Sequence, residues 1–184
     1  MSNHMFFTSD THFGHANIIK YCDRPFSSVE EMDEVLIQNW NSVVKPDDTV
    51  YHLGDVAFYK ANEKFNSVIN RLNGYKLLVM GNHDSLVQTS HSPFYQIDFR
   101  VLEITRDRVL VTCSHFPHLS WAGSHRGAFN LHGHMHSKTP ISDKTARRYD
   151  VGVDANNYTP VAWEDIKAAL DKIPSPKSKR ARED

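Results

Sequence analysis

Apolar positions in this chain follow two rhythms. Residues 5–9, 49–53 and 76–80 are short, nearly unbroken apolar runs that stop at a polar or glycine-containing motif, as strands buried on both faces do. Between them, Val35, Leu36 and Trp40, then Phe65, Val68, Ile69 and Leu72, return with helical period. Ser28-Val29-Glu30-Glu31 has the form of a capping box opening the first helix, and Gly74 suits the end of the second. This strand–helix–strand–helix–strand order predicts a parallel sheet, with functional loops beyond the carboxyl ends of its strands.

The second half changes character. Residues 97–105, 108–113, 128–131 and 148–153 read as strands with short connections and no long helix between them. They predict a second sheet, mixed or antiparallel, packed on the first. Thr159-Pro160 leads into a last amphipathic helix over 163–173. The chain therefore reads as one α/β domain over 1–173, followed by a disordered basic tail, 174–184, that has no apolar anchor.

Bulk properties narrow the function classes. The net charge of -1 provides no global basic field to attract nucleic acid. No apolar stretch approaches the roughly 20 residues a membrane helix needs, and the first residues are too polar for a signal peptide. Cys22 and Cys113 match no zinc-finger spacing and fit a reducing cytoplasm. Histidine is the outlier, with twelve copies, several of them clustered.

Five of those histidines fall within a set of five motifs, each next to a predicted strand end: Asp10-Thr11-His12, Gly54-Asp55, Gly81-Asn82-His83-Asp84, Ser114-His115 and Gly133-His134-Met135-His136. Strand alternation would point Asp10 and His12 to one side, and His134 and His136 likewise. Carboxylate and imidazole together suit a divalent transition metal. Asp55 is the natural shared ligand, since a carboxylate can bridge two cations and an imidazole cannot. Asn82 adds a neutral amide oxygen, while His83, its neighbour, points elsewhere and is free to act as an acid. Any one motif alone is an ordinary turn; the five in this order are not.

In this order the motifs resemble the calcineurin-like metallophosphoesterase superfamily, whose pattern is Asp-x-His, Gly-Asp, Gly-Asn-His-Asp/Glu, His, Gly-His-x-His. The flanks Thr8-Ser9-Asp10-Thr11-His12-Phe13-Gly14-His15 and Asp150-Val151-Gly152-Val153-Asp154-Ala155-Asn156-Asn157-Tyr158-Thr159-Pro160-Val161 are similar to small stand-alone members from bacteria and phages. The resemblance implies a four-layer α/β/β/α sandwich of two mixed sheets flanked by helices. It implies one metal held by Asp10, His12 and His136, a second held by Asn82, His115 and His134, and Asp55 bridging both. Manganese is favoured by the oxygen share of the set, and iron, zinc or nickel also fit.

The activity this implies is hydrolysis of a small phosphodiester or phosphomonoester, such as a nucleotide. A hydroxide shared by the two ions would attack phosphorus, with His83 as general acid. Activity is expected to fall below about pH 6, where free histidine takes up a proton. His15 is a candidate substrate contact, and Arg24 and Arg126 are candidate phosphate clamps. Asp84 either orients His83 or braces its loop. No arginine follows Gly54-Asp55 in residues 56–60, which argues against a phosphoprotein phosphatase. The roughly thirty residues between Asp84 and His115 are too few for a large nucleic-acid cap, so the site should be open. A nuclease acting on single strands and a non-catalytic scaffold of the same fold are the alternatives; oligomeric state is not legible.

Overall fold

A computed structural model describes residues 3–59, 61–85, 94–98 and 100–174. In chain order its elements are β1 (Met5–Thr8), α1 (Ala16–Tyr21), α2 (Val29–Val43), β2 (Thr49–His52), α3 (Asn62–Ile69), β3 (Tyr75–Val79), β4 (Gln96–Asp98), β5 (Val101–Arg106), β6 (Val109–Ser114), β7 (Phe129–His132), β8 (Arg148–Asp150), β9 (Val161–Ala162) and α4 (Trp163–Leu170). Of the basic tail, all but Pro174 lies outside the described residues, as does segment 86–93.

The strands form two mixed sheets flanked by helices. The first runs β4-β3-β2-β1-β9, with the four leading strands parallel and β9 antiparallel to β1. The second runs β5-β6-β7-β8, antiparallel between β5 and β6 and parallel thereafter. The apolar run at 97–105 does not form the single strand expected of it. It divides between β4, paired with β3, and β5, paired with β6, so one stretch serves both sheets.

Alternation along each strand assigns its side chains to two cores. Phe6, Val50 and Leu78 face α1, α2 and α3, meeting Ile18, Met32, Leu36, Trp40 and Phe65. Phe7, Leu53 and Val79 face the other way, onto Val111, Cys113, Phe129 and Leu131 of the second sheet, where α4 adds Trp163, Ile166 and Leu170. At the start of α2, Ser28 accepts from the Glu31 amide at 3.1 Å, but the Glu31 carboxylate reaches back to the Ser27 amide, one residue earlier than a capping box predicts. None of the helices among the described residues is long and apolar enough to cross a membrane.

This topology decides where chemistry can happen. The parallel strands β1, β2 and β3 end at Thr8, His52 and Val79, immediately before three of the motifs. In the second sheet the parallel pair β6 and β7 ends at Ser114, within the fourth motif, and at His132, immediately before the fifth. Packing the sheets face to face brings both sets of loops to one rim.

Candidate metal centre

Backbone hydrogen bonds tie the first loop to the second and the fourth to the fifth. The Asp10 amide donates to the Gly54 carbonyl at 2.9 Å, the His12 amide to the Asp55 carbonyl at 3.1 Å, and the Gly133 amide to the His115 carbonyl at 3.0 Å. The convergence does not come from strand alternation, as the spacing suggested. Asp10, His12, Asp55, His134 and His136 all have positive φ, between 46° and 69°, so each is thrown toward the centre by a left-handed turn. Such backbone costs on the order of 1–3 kcal/mol per residue and persists where the surroundings enforce it. Gly54 and Gly81 supply the close approach: a Cβ on Gly81 would lie 2.3 Å from Asp55 Oδ1.

Asp55 occupies the middle. Its Oδ2 is 3.6 Å from His12 Nε2 and 3.5 Å from His115 Nε2, while its Oδ1 accepts the His83 amide at 2.9 Å. Ligand atoms of Asp10, His12 and His136 lie within 4.8 Å of one another, as do those of Asp10, Asp55 and His115. His134 belongs to neither group among the described residues. Its amide holds Asp10 Oδ2 at 2.9 Å and its ring packs against that of His115, with centroids 5.1 Å apart.

These groups have the unsatisfied valences a cation would fill. Asp10 Oδ1 and His12 Nε2 are buried without a hydrogen-bond partner, an arrangement that costs stability unless something else occupies them. His115 Nδ1 lies 2.8 Å from the Leu53 carbonyl and must carry the proton. Its Nε2 lone pair then faces the Asn82 Oδ1 acceptor at 2.9 Å. A cation shared by these two atoms would satisfy both. Burial pushes the Asp10 carboxyl up to about 6, against the opposing pull of His115 and His136. Burial likewise drives the His12 imidazole far below its usual range, so that it stays neutral and able to bind metal.

His136 is oriented from behind. Its Nδ1 donates to Asp154 Oδ2 at 2.7 Å, leaving Nε2 toward Asp10 and His12. This carboxylate, outside the five motifs, is the support that metal-binding histidines ordinarily need. Cys22 completes a group with His136 and Asp154. His52 was also overlooked by the motif pattern. It is fully buried behind the loops, with Nε2 3.0 Å from Thr11 Oγ1 and Nδ1 accepting from the Gly54 amide at 3.2 Å. Burial lowers its pKa to about 3.

The remaining expected site residues divide. His15 stays at the rim, its Nδ1 3.3 Å from His12 Nδ1 and its ring stacked on Phe58 at 3.8 Å. His83 presents an exposed ring beside Phe58 and His12, with centroids 4.8 and 5.8 Å away. Asp84 accepts the amides of Asp55, Val56 and Gly81 at 2.8 to 2.9 Å, and so it braces the loop. Arg24 is not a phosphate clamp. It is buried, paired with both oxygens of Asp154 and bonded to the Asp10 and Thr11 carbonyls, which leaves it nothing to offer a substrate. Arg126 is not one either, because it lies just before β7 and therefore at the opposite end of the second sheet from His115 and His134.

Comparison with known proteins agrees with this architecture. A family profile described as calcineurin-like phosphoesterase matches residues 4–181. An uncharacterized protein of Methanocaldococcus jannaschii is 37% identical over 173 residues, covering 91% of this chain and 92% of its own. The gene 66 protein of Mycobacterium phage L5 is 32% identical, covering 84% and 88%. A crystal structure of a protein of unknown function from Aquifex aeolicus superposes with a TM-score of 0.75 at 27% identity, covering 91% of this chain and all of that one.

Proposed function

The chain belongs to the calcineurin-like phosphoesterase family, and on that premise we propose that it is a binuclear, metal-dependent hydrolase of small phosphoesters. One observation carries this reading: the Asp55 carboxylate stands 3.5 to 3.6 Å from the Nε2 atoms of two imidazoles that approach from different loops. Asp10, His12 and His136 would hold one divalent ion, Asn82, His115 and His134 the other, and Asp55 would be shared. Manganese is the ion we assign to this mixed set of three oxygen donors and four imidazoles. When bound, such ions activate water and neutralise charge on the phosphoryl oxygens.

The chain's own residues supply the rest. Leu53 and Asp154 engage the Nδ1 atoms of His115 and His136, so both rings turn Nε2 toward the centre. Asp84 fixes the backbone that carries Asp55 and Gly81, keeping Asp55 from swinging away. His83 is anchored to Asp55 through its amide while its ring stays exposed, free to pass a proton to the departing oxygen.

The test is elemental analysis of the purified protein, together with hydrolysis of mono- and bis-nitrophenyl phosphate beside single-stranded DNA. Two ions per chain and metal-dependent cleavage of the small esters, abolished in Asp55→Asn, are expected. Cleavage of DNA alone would make the protein a nuclease. Intact partner binding with no hydrolysis at all would make it a scaffold.

A further inference from the structure

Beside Asn82 and His115 the surface opens into a cavity of about 350 Å³, bordered by Met80, Arg100, Phe116 and His118 as well. That volume lies within the range of roughly 300–1,000 Å³ in which small-molecule sites fall. Two of the seven metal-ligand candidates form its wall, so it is continuous with the reacting centre. None of the five motifs accounts for Arg100, Phe116 or His118.

Phe116 is the informative residue. Half of it is exposed, yet it does not sit on a loose loop. Its ring packs edge-on against His115 and tilted against His134, with centroids 5.1 and 4.4 Å away. Ser114 Oγ donates to its carbonyl at 2.9 Å. Two residues on, the His118 amide donates to buried Asn130 Oδ1 at 3.0 Å, and the His118 carbonyl accepts from Arg148 at 3.1 Å. Asn130 is in turn fixed by donating to the Thr112 carbonyl. Buried polar groups thus immobilise a short loop whose outward feature is an apolar ring. A rigid aromatic face beside a phosphate-sized reaction site, with an exposed guanidinium nearby at Arg100, matches a flat, electron-rich ring joined to a phosphate.

We propose that this cavity is a nucleobase subsite: Phe116 stacks on the base of a nucleotide phosphoester, and Arg100 lies against the base or its sugar-phosphate. The inference rests on the phosphoesterase reading above and narrows its substrate class to nucleotides. Arg100 takes the place in substrate recognition that Arg24 and Arg126 do not fill.

The experiment is calorimetric binding of adenosine monophosphate and of ribose phosphate to the full-length, metal-loaded protein, with hydrolysis of bis-nitrophenyl phosphate measured on the same preparation. Wild-type protein should bind the nucleotide on the order of 10-fold more tightly than the sugar phosphate, the size of one base–aromatic stack. Phe116→Ala should erase that difference while leaving ribose phosphate affinity in place, Phe116→Tyr should restore it, and Arg100→Gln should weaken binding of the nucleotide. Equal affinity of the wild type for the two ligands overturns the proposal without recourse to any variant. Loss of affinity for both ligands alike in Phe116→Ala also overturns it, because the ring would then serve the metal centre and not the base. Base-dependent binding without hydrolysis would instead sink the catalytic reading and leave the subsite standing.

Discussion

His136 and Asp154 form a 2.7 Å hydrogen bond in which the buried carboxylate also receives Arg24 on both of its oxygens. One acidic side chain therefore aims a metal-facing ring and neutralises a buried guanidinium. Asp154→Asn should lower affinity for the ion at His136 by about 10- to 100-fold. It should also destabilise the fold by about 3–5 kcal/mol, because Arg24 keeps its charge without a counter-ion. Competitive metal titration and thermal unfolding measure the two effects. A folded variant with unaltered metal affinity would remove Asp154 from the site.

The metal-free centre should hold a proton that binding expels. Burial alone would lower the His136 pKa, but hydrogen bonds to Asp154 and Cys22 and the nearby carboxylates lift it to about 10. At pH 7 His136 is then charged and Asp10, at about 6, is ionised. Calorimetry in buffers of different ionisation enthalpy should find about one proton released at this position, with affinity rising about tenfold per pH unit above 7 and levelling near 10. This moves the pH dependence well above the fall near pH 6 that free histidine suggested.

Both of these pKa values are raised above their unfolded ones, which fixes the sign for stability without metal. The contribution of Asp10 is complete below about 3.8 and lost as pH rises through about 6, and that of His136 is complete below about 6.5 and lost through about 10. Denaturant midpoints of the metal-free protein should fall over both windows, and metal-loaded protein should not show the second fall.

His83 and its neighbour Asp84 should separate chemistry from architecture. His83→Ala should reduce kcat by about 10²–10⁴-fold with metal content and melting temperature unchanged. Asp84→Ala strips acceptors from three amides, two of them in buried residues, so it should lower stability by several kcal/mol and lose metal as Asp55 shifts. Equal melting temperatures for the two variants would contradict the bracing role.

The two arginines make a control pair. Arg126→Ala should leave kcat/KM unchanged, since the residue stands at the far end of β7. Arg24→Lys should weaken the fold, because one ammonium cannot replace a guanidinium that meets Asp154 in bidentate fashion and two backbone carbonyls besides.

The candidate ligands were legible in the sequence because each lies beside the end of an apolar run, and strand ends are where sheets deliver functional loops. Their geometry was less legible. Asp10 and His12 look like alternating strand residues until their φ values show two left-handed turns. Asp154 and His52 act across separations of 18 and 41 residues, and no local pattern encodes such pairings. Residue type made Arg24 and Arg126 equivalent candidates, whereas topology buried one and placed the other at the wrong end of its sheet. The two-residue β9 carried too little periodicity to register at all.

The left-handed turns at Asp10, His12, Asp55, His134 and His136 have an evolutionary consequence. Glycine would relax every one of them, so selection for heat resistance alone would drift toward glycine at these positions and erase the reaction centre. The chain instead carries aspartate and histidine there, side chains with donor atoms that glycine lacks.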